Sequence, residues 1–239
     1  MDTRYSPLSF VAETQTIVPL VGYRIAQAYQ WSTSRVNSMT YLDFQRLSDS
    51  AVAENFEGLP RRANFSETDW YFVRNAQVVE FVNILDKYGR RLFLSRMLEK
   101  PLAAMQARVS ALLAGTDSRD DLRYYIHSAH DTNTVNALLW LQPMSFNLIE
   151  SPFASSITFE LHYDDTCLST TKDASCFTVE VSNNGDQLKL DTCVTANKAK
   201  GSTSPICQYE DFLRHISART LKGDLKQLCL QGYDPYPQV

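Results

Sequence analysis

The chain has 239 residues, 44% hydrophobic and 21% charged, with a net charge of −4. That is enough polypeptide for one large domain or two smaller ones, and the composition is that of an ordinary globular protein. There is no lysine- or arginine-rich run to serve as a nucleic-acid footprint, and no apolar stretch approaches the ~20 residues of a membrane-spanning helix. The opening MDTRYSPLSF lacks the basic-then-apolar pattern of a targeting leader.

The first 115 residues read as mainly helical. In FVAETQTIVPLVGYRIAQAYQW, Val18, Val21, Ile25 and Tyr29 recur at helical spacing, with Pro19 suited to a first turn. SETDWYFVRNAQVVEFVNILDKYG is the clearest helix: Ser66 and Asp69 form a capping-box pattern, and Gly89 is a stop signal. A further helical stretch from Leu92 to Leu113 should kink or split at Pro101. Gly115 then opens the polar break GTDSRDD, which divides the chain into a helical region, 1–118, and an α/β region, 119–239.

Beyond the break, LRYYIHSA is apolar or aromatic at consecutive positions, as in a strand covered on both faces. TNTVNALLWL follows as a helix, with Asp131 or Thr132 as its N-cap. SSITFELHYD alternates at Ile157, Phe159, Leu161 and Tyr163 as a half-buried strand. CFTVEVSNNGDQLKL reads as a hairpin turning at Asn184-Gly185, and ICQYEDFLRHISART as an amphipathic helix. The order predicts an α/β fold with a separate helical portion.

All five cysteines lie between Cys167 and Cys229, in no zinc-binding spacing. They read as disulfides of an oxidising compartment, with scattered free thiols as the alternative. Cys167 and Cys176 flank one polar loop and Cys193 and Cys207 another, leaving Cys229 unpaired. Asn64-Phe65-Ser66 is an N-glycosylation sequon, usable only in a secreted chain.

Among the four histidines, His127 and His130 would point to opposite faces of a strand, so no metal site is expected, nor any cofactor. His162 should be exposed, and His215, next to Arg214, should sit on a solvated helix face. His130 and Asp131 are placed differently, where a strand ends and a helix begins. An anion is favoured there by the helix amides, an imidazole can donate to phosphate oxygens, and a carboxyl can protonate a leaving alkoxide. A purely structural pair, strand end and helix cap, fits the local residues equally well.

YIHSAHDTNTVNALLWL resembles the C-terminal motif of the histidine acid phosphatases, through Ser128, Ala129, His130, Asp131, Thr132, Thr134 and Val135. SPFASSITFEL, FTVEVSNNGDQLKL and CQYEDFLRHI are similar to segments that follow that motif in the family, and the likeness extends upstream to about Asn55. It implies a phosphoglycerate-mutase-like core with a mostly helical cap. By the same resemblance His130 contacts phosphate, Asp131 is the general acid, and the substrate is a small phosphomonoester. The family attacks phosphorus with the histidine of an R-H-G-x-R-x-P motif and clamps the phosphate with arginines. No such motif occurs in this sequence, so only His130 and Asp131 carry over.

Two expectations follow. The chain is the C-terminal part of such a phosphatase and inactive alone, or it is a complete non-catalytic relative that binds a phosphorylated ligand or protein partner. The first explains an unpaired Cys229, since many family members bridge a late cysteine to the N-terminal part. It also places the intact protein outside the cell or in a lysosome or vacuole.

Overall fold

The computed structural model describes residues 21–118, 122–144, 146 and 151–230. Val18 and Pro19, and the expected division at Arg119, lie outside the described residues. The chain forms two compact units: Met1–Ile84 with Asn147–Pro152, and Leu85–Phe146 with Phe153–Val239. Together they make a mixed α/β protein, mostly helical, with one small open antiparallel sheet.

In the first unit, residues 21–28 are helical (α1), followed by α2 (Thr33–Asn37), α3 (Tyr41–Phe56) and α4 (Glu67–Ile84). Val21 and Ile25, four apart on one face of α1, are buried with Phe44 and Leu47 of α3 and Phe72, Val73 and Ala76 of α4. Thr40 and Asp43 cap α3 reciprocally. Ser66 and Asp69 do the same for α4: the Asp69 amide donates to the Ser66 hydroxyl at 3.2 Å, and Asp69 Oδ2 accepts from the Ser66 amide at 2.9 Å. Helix α4 ends earlier than expected, at Ile84, because Asp86 captures the Gly89 amide and starts the next helix with Gly89 inside its first turn.

The second unit opens with α5 (Lys87–Met97) and α6 (Glu99–Ala114). Proline has no N–H to offer the preceding turn, and the chain breaks ahead of Pro101, which occupies the first turn of α6. Gly115, at φ 69°, ends α6 in the left-handed conformation. Helix α7 (Asp131–Leu141) precedes β1 (Ile157–Tyr163), α8 (Asp165–Thr170), β2 (Phe177–Asn183), β3 (Asp186–Gln187), α9 (Asp191–Ala199), β4 (Cys207–Gln208), α10 (Tyr209–Ser217) and α11 (Leu225–Leu230). The polar loop expected between Cys193 and Cys207 is helical as far as Ala199.

Strand β2 is central, with β1 along one edge and the short β3 and β4 in line along the other. The register pairs Phe159 with Val181, Leu161 with Val179 and Tyr163 with Phe177, which collects apolar side chains on one face. Helix α10 covers that face: Phe212 lies 6.0 Å from Phe159 and Tyr209 lies 6.4 Å from Phe177, ring centre to ring centre. Both residues of the β2–β3 turn, Asn184 and Gly185, have positive φ, as a two-residue hairpin demands. Asn184 also holds the entry to β1, its Oδ1 accepting from the Ser156 amide at 2.8 Å.

Disulfides join Cys167 to Cys176 and Cys193 to Cys207, while Cys229 is a free, exposed thiol. The Cys193–Cys207 pair is buried and ties the start of α9 to β4. Two such bonds are compatible with an extracellular or lysosomal location. Among the described residues no helix is long and apolar enough to cross a membrane.

His215 corrects the expectation of a solvated helix face. It is fully buried, its Nε2 donating to the Leu141 carbonyl at 2.8 Å, so that neutral Nδ1 accepts from the Thr192 hydroxyl at 3.1 Å. Burial, aided by the Arg219 guanidinium and opposed by the Leu141 hydrogen bond and Asp191, pushes its pKa from 6.5 down to about 4. An unfolded chain takes up a proton below its ordinary pKa of 6.5 that the folded imidazole refuses until about pH 4. This contribution to stability is complete above the higher value and is lost as pH falls toward the lower, to a limit of roughly 3 kcal/mol. Urea unfolding of the wild type and His215→Gln at pH 7 and pH 4.5 checks this: the wild type should lose more stability between the two. Equal losses would contradict it.

Candidate functional site

Helix α7 carries the candidate site at its N-terminus. The helix is anchored by its apolar side, with Val135, Leu138, Trp140 and Leu141 buried and the Trp140 indole donating to the Arg219 carbonyl at 3.0 Å. Its N-cap is His130 rather than Asp131 or Thr132. The His130 backbone is extended (φ −92°, ψ 163°), and its N–H donates to the Asn133 side-chain oxygen at 2.9 Å. The chain thus turns into the helix one residue earlier than an Asp131 cap implied and two earlier than a Thr132 cap. Asp131 becomes the first helical residue, its Oδ1 accepting from the Thr132 amide at 2.7 Å.

The side chains of His130 and Asp131 are both exposed. Adjacent in sequence at the positive end of an eleven-residue helix, they present an imidazole and a carboxyl to solvent. Among the described residues neither has an ion-pair partner. The pair can offer hydrogen bonds to an anion and exchange a proton with it, but it holds no arginine of its own.

A buried polar chain lies beneath this turn. Asn136, with no exposed surface, donates to the Thr132 carbonyl at 2.8 Å and accepts from Arg90 Nε at 2.9 Å. Arg90, on α5, also donates to the Leu85 carbonyl at 3.0 Å, and burial lowers its pKa against the opposing pull of Asp86. Sequence reasoning missed Arg90 and Asn136. The available signal was an asparagine on the otherwise apolar face of NALLWL, which needs a buried partner.

The approach to the site differs from its expected form. Residues 122–130 belong to no strand and are exposed throughout, including Tyr124 at 74% and Ile126 at 71%. A strand exists only by pairing, and the sheet of the described residues, built on β2, does not reach this segment. The apolar run signalled burial without supplying the neighbour that would provide it.

The other histidines do not join the pair in a visible site. The His127 ring lies tilted against Tyr125, 5.0 Å between centres, and His162 is exposed beside Glu160 on β1. His215 spends both ring nitrogens at the far end of α7. Among the described residues no group of three or more histidine, cysteine, aspartate or glutamate side chains could hold a metal ion.

Compared with protein-family models, curated proteins and solved structures, the chain matches none.

The Asn133 side chain is what fixes His130 against the helix. Asn133→Ala should cost about 1 kcal/mol, as the loss of a capping contact does. Amide hydrogen exchange at residues 130–134 should then speed up roughly five-fold. Unchanged exchange would show that the backbone alone sets the turn.

Proposed function

We propose that this chain carries the phosphate-contact and general-acid half of a histidine acid phosphatase site, as the C-terminal part of a phosphoglycerate-mutase-like core. The nucleophilic histidine and the arginine clamp come, on this reading, from polypeptide outside these residues. The observation that carries it is the exposed segment 122–130 running into the firmly anchored α7. A row of tyrosine, tyrosine and isoleucine left exposed in front of an anion-favouring helix end is an apolar segment without the neighbour that would pair and bury it. The H-S-A-H-D-T sequence at that junction supports the family reading.

In the completed site the nucleophile attacks phosphorus while the ester oxygen leaves. Protonated Asp131 gives its proton to that oxygen, avoiding an expelled alkoxide. His130 donates to a phosphoryl oxygen and offsets charge as it accumulates there. The Asp131 carboxylate so formed can then accept the proton of the water that cleaves the phosphoenzyme. The chain alone lacks the attacking group, so the two residues bind and donate without turnover.

A second reading has one observation in its favour, the absence of any Arg-His-Gly in the sequence. In it the same two side chains hold a phosphorylated ligand or a phosphorylated partner without chemistry.

The transcript upstream of Met1 separates the two. The phosphatase reading expects an in-frame R-H-G-x-R-x-P, and a longer product that hydrolyses p-nitrophenyl phosphate. Asp131→Asn should lower that rate by about 10²- to 10⁴-fold, the usual worth of a general acid. It expects no turnover from the 239-residue chain. Stops in every frame, or Asp131→Asn without effect on the longer product, would overturn it.

A further inference from the structure

We propose that Asn64 is an N-glycosylation site, occupied while the chain is still unfolded and before helix α4 closes. The inference stands apart from the phosphatase reading and concerns the other compact unit.

Asn64 is the one asparagine of the sequence followed by any residue and then Ser or Thr, and neither Phe65 nor Glu67 is a proline that would block it. It lies in the connection between α3 and α4 and is exposed. Its neighbours hold the connection down. Arg62 Nε bonds the Glu54 carboxylate at 2.8 Å, and Arg61 Nε reaches Asn55 Oδ1 at 3.2 Å with its guanidinium over the Trp70 ring. Phe65 packs edge-on against Trp70, 5.2 Å between centres. Asn64 itself makes no hydrogen bond among the described residues, so its amide is offered outward from an anchored loop. The chain's two disulfides are compatible with a compartment in which such a modification takes place.

The fold also dictates the order of events. Transfer requires the hydroxyl two residues after the asparagine to be available. In the folded chain the Ser66 hydroxyl donates to Asp69 Oδ2 at 2.9 Å and accepts from the Asp69 amide at 3.2 Å. The intervening Phe65 is locked on Trp70. Once the capping box has formed, the acceptor tripeptide cannot extend into an enzyme's cleft. The donor is an oligosaccharide on a lipid diphosphate. The Asn64 Nδ2–C1 bond forms as the C1–O bond to the diphosphate breaks, the lipid diphosphate leaves, and Nδ2 gives up one proton to a base.

The exposed Phe56, at the end of α3, and Leu59, in the connection, give the modification a physical use, because a sugar rooted nearby adds polar surface to an apolar stretch.

The test directs the full chain into the secretory pathway of a eukaryotic cell and analyses intracellular and secreted material by peptide mass spectrometry. Reading the intracellular pool makes the result independent of whether a variant folds. Expected is one oligosaccharide, released by peptide N-glycosidase with conversion of residue 64 to aspartate. Asn64→Gln and Ser66→Ala should abolish it, and Ser66→Thr should retain it. Chain with both disulfides formed and Asn64 unmodified would overturn the proposal. For the order of events, purified unmodified chain is incubated with oligosaccharyltransferase and lipid-linked donor, folded or as the unfolded chain. The unfolded chain should be modified at least ten-fold faster, and equal rates would refute prior capping as the barrier.

Discussion

Three helices of the second unit meet at one buried imidazole. His215 of α10 binds the last carbonyl of α7 through one nitrogen and Thr192, in the first turn of α9, through the other. Helix α10 is itself seated on the apolar face of the β1–β2 ladder by Tyr209 and Phe212. The imidazole therefore links the sheet to α7, and α7 delivers His130 and Asp131. A buried neutral histidine performs this only while both nitrogens have partners, since an unpaired polar group there would cost several times what the bond contributes.

From that fixed end, α7 rises to a beginning that is built very differently. Beneath its first turn, Asn136 and Arg90 satisfy one another and the Thr132 carbonyl, giving the turn a buried polar foundation. Above it, His130 and Asp131 are open to solvent and the chain leading to them is unsheltered. The contrast between an ordered support and an uncovered approach is the physical basis for reading the pair as one half of a larger site. The structure contributes an exposed imidazole and carboxyl at the start of α7; the anion contact, the proton transfer and the phosphatase reading proposed for them rest on the sequence resemblance.

Much of the local structure was legible in the residues. The Ser66–Asp69 capping box, the Asn184-Gly185 turn and the alternation of β1 are each read from a few neighbouring positions, because short-range sterics and hydrogen bonding decide them. Spacing also suggested the partners Cys167–Cys176 and Cys193–Cys207, which are joined in the structure. The misreadings have a common origin. Gly89 signals a helix stop, but Asp86 starts a new helix three residues before it. His215 looked solvated because its neighbours Arg214 and Ser217 are polar, yet its face of α10 is the one turned toward α7 and α9.

By itself the sequence determined the Ser66–Asp69 cap of α4, where the hairpin turns, and that a histidine–aspartate pair stands at the mouth of a helix. These depend on contacts within a few residues, which any compact context preserves. Only the tertiary structure decided that His215 is a buried link, that Arg90 and Asn136 support the site, and that residues 122–130 remain unpaired. Burial and strand formation are properties of two surfaces meeting. The apolar run LRYYI could announce a need for a neighbour but could not contain one.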